Sequence, residues 1–337
     1  MAVVTIKDIA KECGVSFSTV SKALKGSSEI GVDTIKNIQE TAKRMGYQPN
    51  AAARKLRTNR SYDLGVIFED STGSGLMHQY FASIFDSFNV TANLKGYNIS
   101  FLNSVNTEIG SYLTQTRYQG FDGVAIFSTN DFHRADIQEL IHSDIPICML
   151  DYVVEEKASS VLSDNKNGME QLLKFLISKG HRKIAFIHGE LSGVTHDRLE
   201  AFYSVLKENN IEIPEEYVIE GMYHEPTSSE TSTRILLDLP DPPTCILYPD
   251  DFAYLGGVKV LNERHLIPGK DISIVGYDGI FLSSVVTPVL TTYAQNAKEI
   301  GKQMAELLIS KIENSSEKYQ IVNVNGKIRE GQTVNQL

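Results

Sequence analysis

The 337 residues exceed one common domain, and 42% hydrophobic with 22% charged residues is ordinary for a globular chain, which excludes a largely disordered one. No apolar run reaches the roughly 18 residues that a membrane span needs, so no membrane partner is expected; the early charges Lys7 and Asp8 argue against a secretory leader and for a cytoplasmic protein. The net charge of −10 is uneven: residues 1–60 carry 11 Lys and Arg against 5 Asp and Glu, a local +6, which leaves −16 elsewhere and marks one end for a polyanion.

Thr5 is placed to cap a helix over 6–13, Asp8 completes a capping box, and Ile6, Ile9, Ala10 and Cys13 form one apolar stripe. Gly14 ends that helix, and Ser16 caps a second over 17–24 that would bury Val20, Ala23 and Leu24. The spacing of Ala10, Gly14, Val15 and Val20 is that of a helix-turn-helix, whose second helix enters a DNA major groove. Its outward residues, Phe17, Ser18, Thr19, Ser21 and Lys22, suit base edges and phosphates, the competing reading being a solvated helix face.

A third helix is expected over 33–45, where Ile35, Ile38, Ala42 and Met45 share a face and Gly46 stops the run. The short run 51–57 has Leu56 as its one large apolar side chain, so a helix there should form only against a partner, the competing reading being a flexible linker with a chance leucine. Cys13, Cys148 and Cys245 are odd in number and far apart, which predicts buried small apolar residues rather than a disulfide framework or metal site; no cofactor is expected.

Beyond residue 61, β-like runs alternate with amphipathic helical stretches, the pattern of an α/β fold of parallel sheets wrapped by helices. Strands are expected at 64–68, 99–102, 124–127 and 147–150, then at 184–187, 218–219, 245–248 and 272–275, with a last one at 320–324. Helices are expected near 79–94, 134–142, 166–179, 197–209, 227–238, 252–263 and 296–312. Two similar halves in series imply a cleft, and open parallel sheets bind ligands beyond the carboxyl ends of their strands. That rule selects Asp151, Tyr223 and Asp251, with Arg198 at the opening of a second-lobe helix. The paired acids Asp250 and Asp251 could imitate catalytic carboxylates, but neighbours on one loop rarely flank one bond, and the sequence shows no phosphate loop, no clustered metal ligands and no serine elbow, so no enzyme is expected.

The run Thr5-Ile6-Lys7-Asp8-Ile9-Ala10, then Gly14-Val15-Ser16, Thr19-Val20-Ser21, Gly46-Tyr47-Gln48-Pro49-Asn50-Ala51 and Leu56, resembles the LacI/GalR family of bacterial repressors. Further matches are Ser178-Lys179-Gly180-His181-Arg182-Lys183-Ile184-Ala185, Asp250-Asp251-Phe252-Ala253-Tyr254-Leu255-Gly256, Ile272-Ser273-Ile274-Val275-Gly276-Tyr277-Asp278 and Pro288-Val289-Leu290-Thr291-Thr292. The resemblance covers essentially the whole chain. It implies an all-α helix-turn-helix headpiece over 1–48, a hinge helix and linker over 49–60, and a periplasmic-binding-protein-like effector and dimerisation domain over 61–337. That domain would cross between lobes near 163, 291 and 320, so that lobe one is 61–162 plus 292–319 and lobe two 163–291 plus 320–337.

The resemblance also implies a homodimer on double-stranded operator DNA, with Leu56 wedged into the minor groove. Thr5, Ser16, Tyr47, Asn50 and Ala53 join Leu56 and the outward residues of the second helix in the set expected against DNA. Arg198 falls at the family's effector-contacting arginine and Asp251 at its effector-contacting acid, while Tyr80 and Phe81 match an aromatic pair of the other lobe. Ala201 departs from a glycine that the family often has at that position.

Carboxylates, a guanidinium and rings suit a sugar, so a mono- or disaccharide effector is expected. For Arg198 and Asp251 the competing reading is an interlobe salt bridge, for Tyr80, Phe81 and Tyr223 core packing, and for His78 a helix cap or a surface position. A protein corepressor, a non-sugar effector and a sugar-binding or sugar-processing protein are the alternative functions. The short run after 324 predicts a dimer without a heptad tail.

Overall fold

A computed structural model of the protein describes residues 4–24, 27, 29–47, 60–69, 75–102, 110–129 and 131–337. They fall into two compact units, residues 1–61 and 62–337.

The first unit holds α1 (Ile6–Cys13), α2 (Phe17–Ala23) and α3 (Val32–Arg44). The Thr5 backbone N–H and hydroxyl both donate to Asp8 Oδ2, at 2.8 and 2.7 Å, so two donors at the helix start share one carboxylate oxygen. Gly14 ends α1 at φ 65°, a conformation that glycine adopts without steric cost, and Ser16 caps α2 by accepting from Thr19 N–H at 3.1 Å. Ile9, Ala10, Val20, Ala23, Ile38 and Ala42 close a small core. Cys13, expected inside, is only half-buried at its edge. The hinge helix expected over 51–57 lies outside the described residues.

The second unit is built on two six-stranded sheets. One contains β1 (Asp63–Phe68), β2 (Asn98–Leu102), β3 (Gly123–Ser128), β4 (Ile147–Leu150), β5 (Ser159–Ser163) and β11 (Ile321–Val324), in the order β11-β5-β4-β3-β1-β2, all parallel. The other contains β6 (Ile184–His188), β7 (Val218–Glu220), β8 (Cys245–Leu247), β9 (Ser273–Asp278), β10 (Thr291–Ala294) and β12 (Lys327–Arg329), in the order β12-β10-β9-β8-β6-β7 with only β12 antiparallel.

Helices cover both faces of each sheet. The first lobe has α4 (Gln79–Leu94), α5 (Tyr112–Gln119), α6 (Ala135–Ile141) and the late α12 (Ala297–Glu313); the second has α7 (Asn165–Ser178), α8 (Gly193–Glu208), α9 (Pro226–Leu237), α10 (Tyr254–Glu263) and the short α11 (Leu282–Val285). Central strands read as apolar runs, such as the wholly buried Ile147–Leu150, because a parallel sheet covered on both faces has no wet side.

Two of the expected lobe crossings move. Residues 291–294, expected at the second crossing, form β10 of the second sheet, and 320–324, expected in the second lobe, supplies β11 of the first. The chain therefore passes between lobes after β5, after β10 and after β11. The missed strands β5 and β10 are rich in Ser and Thr, which hid their burial: Ser160 Oγ–H donates to Tyr152 O at 2.7 Å and Thr292 Oγ1–H to Asp251 Oδ1 at 2.6 Å, so the hydroxyls pass inside already satisfied. Helix α5 was missed for the same reason, since it buries Gln115 and Thr116.

In the first lobe, α12 packs against α4 so closely that a Cβ on Gly301 would stand 2.1 Å from the carbonyl oxygen of Ile84. Gly301→Ala is accordingly expected to push the two helices apart and destabilise the unit by about 1–3 kcal/mol as an overpacked site. Gly193→Ala, where nothing lies within 4 Å of the new methyl, is the control that should melt with the wild type. Equal melting temperatures for the two variants would contradict the packing.

Candidate DNA-reading face and interlobe cleft

In the first unit, α2 buries Val20 and Ala23 and leaves Phe17, Ser18 and Lys22 exposed, with Thr19 and Ser21 half-covered. Phe17 is 62% exposed at the first position of the helix, where an apolar ring has no core to serve. Lys22 forms an ion pair with Glu29, both side chains solvent-accessible, a weak contact that a phosphate can displace. Thr5 and Ser16 are exposed but serve as caps, and Tyr47 is half-buried against the core. Asn50, Ala53 and Leu56 lie outside the described residues.

In the second unit, a cleft of about 620 Å³ opens between the lobes at the carboxyl ends of the strands, a volume suited to a small organic ligand. Of the residues selected from the sequence, Tyr80, Phe81, Asp151, Arg198 and Tyr223 line it. Arg198 lies in the second turn of α8 rather than at its opening, because the helix begins at Gly193, capped by Ser192. Only 4% exposed, the guanidinium stacks 3.6 Å from the centroid of the Tyr277 ring, donates from Nε to Asn165 Oδ1 at 2.9 Å and from Nη1 to Pro249 O at 3.0 Å. It is a fixed cation in the cleft wall that forms no ion pair with a carboxylate among the described residues, unlike the salt-bridge reading.

Asp251 is the correction. It is fully buried, and its carboxylate is consumed inside the second lobe by Thr292 Oγ1 at 2.6 Å and the backbone N–H of Ile280 at 3.0 Å. Gly276 leaves it room, since a Cβ there would meet Asp251 Oδ1 at 2.1 Å. Burial, with the charge of Asp278 adding, pushes its pKa up to about 8.

Where Asp251 was expected, the second lobe presents Asp278 to the cleft, the last residue of β9, held at φ 104°. Burial and the nearby Asp250 charge raise it to about 7, against the pull of His224, Arg198 and Gln295. Asp250 moves the other way: burial opposes its charge, but bonds from His224 and Ala253 outweigh that and hold it low. On the first lobe Asp151, at φ 51°, accepts from Ser163 N–H at 2.7 Å and is raised to about 6 by burial.

His78 is the cap of α4, its Nδ1 accepting from Phe81 N–H at 3.3 Å, so that expectation of a capping role is met by geometry. It also reaches across the lobes to His224. Sequence reasoning missed His224, Gln295 and the stacked pair Phe132 and Tyr152, whose rings lie 3.9 Å apart and within 4° of parallel on the cleft wall. Tyr152 directly follows Asp151, so the strand-end rule that found the acid could have found the ring.

Among known sequences, residues 5–50 match the family described as "Bacterial regulatory proteins, lacI family" and residues 173–334 match the "Periplasmic binding protein-like domain". The chain is 32% identical to a probable HTH-type transcriptional repressor, ExuR, of Bacillus subtilis, over 94% of each chain. Among solved structures it resembles the lac repressor dimer bound to operator and the anti-inducer ONPF, at a TM-score of 0.76 and 24% identity over 99% of this chain and 100% of that one. It also resembles the transcriptional regulator CelR in complex with cellobiose, at a TM-score of 0.69 and 24% identity over 98% and 99% of the two chains.

The raised acid Asp251 has a thermodynamic consequence. Its folded pKa of about 8 lies above the ordinary carboxylate value, so between these two the folded chain holds a proton that the unfolded chain has released. Stability therefore falls as pH rises through that window. Thermal melts from pH 5 to 8.5 should show the midpoint dropping, and Asp251→Asn, which has no proton to lose, should remove a large share of the slope even if it lowers the midpoint overall. Parallel slopes for wild type and variant would contradict the assignment.

Proposed function

The chain belongs to the lacI family of bacterial regulatory proteins, and on that premise we propose that it is a cytoplasmic transcriptional repressor, not an enzyme, that reads operator DNA through α2 and senses a small polyhydroxylated effector in the interlobe cleft. The observation that carries the effector reading is the composition of the cleft wall. A buried guanidinium, five carboxyl groups at strand ends and in the loops after them (Glu69, Asp131, Asp151, Glu190 and Asp278), and stacked aromatic rings face one cleft. Hydroxyls both donate and accept, so a sugar satisfies carboxylates and guanidinium together while its apolar face rests on the rings. The similar regulator solved with cellobiose supports the same class of ligand.

Operator reading calls for a dimer, which sets two recognition helices one helical turn apart. The first lobe offers a face for it: Val90 and Leu94, one turn apart on α4, and Phe101 on the edge strand β2 are exposed.

Two experiments test the reading. In thermal-shift titrations of the full chain with mono- and disaccharides, at least one sugar should raise the melting temperature, and Arg198→Ala should weaken its binding by about ten- to a hundredfold, the loss of charge-assisted bonds. A panel without any hit would refute a sugar effector. On operator DNA, Lys22→Ala should weaken binding and reduce the slope of log affinity against log salt by about one; an unchanged slope would remove Lys22 from the phosphate contacts.

A further inference from the structure

Three side chains with metal-ligand chemistry meet where the lobes face each other. His78 caps α4 in the first lobe, His224 lies in the loop between β7 and α9, and Asp278 ends β9 in the second lobe. One donor atom from each lies within 4.8 Å of the other two. His78 and Asp278 are buried and the His224 side chain is 13% exposed. His224 at φ 57° and Asp278 at φ 104° both hold backbone conformations that side-chain-bearing residues rarely adopt, a strain that concentrates at binding sites.

Each second-lobe member is also held in place by a neighbouring side chain. Asp250 stands 3.4 Å from His224 Nδ1 and accepts the His224 backbone N–H at 2.8 Å, and Gln295 Nε2–H donates to Asp278 Oδ1 at 2.6 Å. The Asp250 carboxylate lies on the same ring nitrogen that meets His78, so it anchors the loop that carries His224, while the amide behind the Asp278 carboxylate is a support of the kind found around metal ligands.

We propose that His78, His224 and Asp278 bind a divalent cation of the zinc type across the cleft, leaving a coordination position open to a hydroxyl or carboxylate oxygen of the effector. Two imidazoles and one carboxylate are the donor set of open, four-coordinate zinc sites. The set is too rich in nitrogen for calcium or magnesium, which take oxygen. Binding requires modest movement. The His78 and His224 rings now share a nitrogen-to-nitrogen contact, and two nitrogens on one tetrahedral ion stand roughly 3.3 Å apart, so the rings separate as the ion enters. A proton on His78 Nδ1 frees Nε2 to coordinate and gives up the long cap bond from Phe81.

Because its ligands come from both lobes, the ion binds only while they are together and favours that arrangement by its differential affinity. The proposal rests on the effector reading only for the ligand in the open position; the protein's own three ligands do not depend on it.

The test uses the full chain stripped with a chelator and titrated with Co2+, whose visible absorption reports nitrogen and oxygen ligation, followed by displacement with Zn2+. The expected result is one ion per chain at micromolar affinity or tighter. His78→Asn, which keeps a capping side chain, and His224→Gln should each weaken binding at least tenfold, while His142→Ala, at an exposed histidine on the end of α6, should not. Circular dichroism checks that each variant folds. Absent stoichiometric Co2+ binding, or binding that survives both substitutions, would overturn the site. Sugar titrations run with and without chelator separate the two readings: a sugar shift with no metal bound sinks the metal site alone, and metal bound with no sugar response sinks the sugar reading alone.

Discussion

Gln295 stands at the second passage of the chain between the lobes, and both ends of its amide are in use. Its carbonyl oxygen accepts from Tyr80 of α4 at 3.2 Å and from Ser163 at the end of β5, while its N–H donates to Asp278 at 2.6 Å. One side chain thus joins the first lobe's aromatic wall, the first crossing and the second lobe's acid. Phe281 N–H donating to Gln79 at 2.8 Å and the His78–His224 contact extend this seam along the mouth of the cleft. The cleft exists because three connecting segments hold the carboxyl ends of two parallel sheets face to face, and this polar seam sets their separation.

That geometry concentrates acid where water is scarce, and the structure manages the charge residue by residue. Glu69 is taken up by Arg134 at 2.9 Å and by Tyr112 at 2.6 Å, and Glu190 by the backbone N–H of Tyr223 at 3.0 Å. Asp250 stays ionised against His224, while burial raises Asp278 and Asp151 toward neutral pH. Two buried acids near one another cannot both remain charged cheaply, so one is low and the other high. The cleft then offers Asp151 and Asp278 as groups able to accept from, or donate to, a ligand oxygen, and Arg198 as a donor only.

Much of this was legible in the sequence, for reasons that differ by element. The helix-turn-helix could be read because its signals are local: a capping box at Thr5 and Asp8, glycine at 14, and a short apolar core at helical spacing. Buried parallel strands could be read where they are apolar, as at Ile147–Leu150, and not where a buried face is built of Ser and Thr with partners far along the chain. The same blindness displaced the cleft acid. Gly276 and Tyr277 interrupt the apolar run of β9, so the pattern alone stops the strand at 275, short of Asp278 at its true end. Asp251 follows its strand as the rule requires, yet its backbone N–H is tied to Tyr277 O at 2.8 Å and its side chain turns inward over Gly276. Position after a strand is written in sequence; the direction of the side chain is set by the neighbouring strand.

Within the regulator reading, this distribution of charge also bears on which effectors the cleft accepts. A carboxylate or phosphate entering it would gain the guanidinium of Arg198 but face Asp131, Asp151 and Asp278 around the same volume, and in a partly dehydrated cleft that repulsion is only weakly screened. A neutral polyol meets no such penalty, since each acid, charged or protonated, finds a hydroxyl able to answer it. A cation bound by His78, His224 and Asp278 reverses that preference, because it neutralises one acid and adds positive charge beside Arg198. Occupancy of the histidine cluster would thereby decide whether the cleft selects a neutral sugar or its acid derivative.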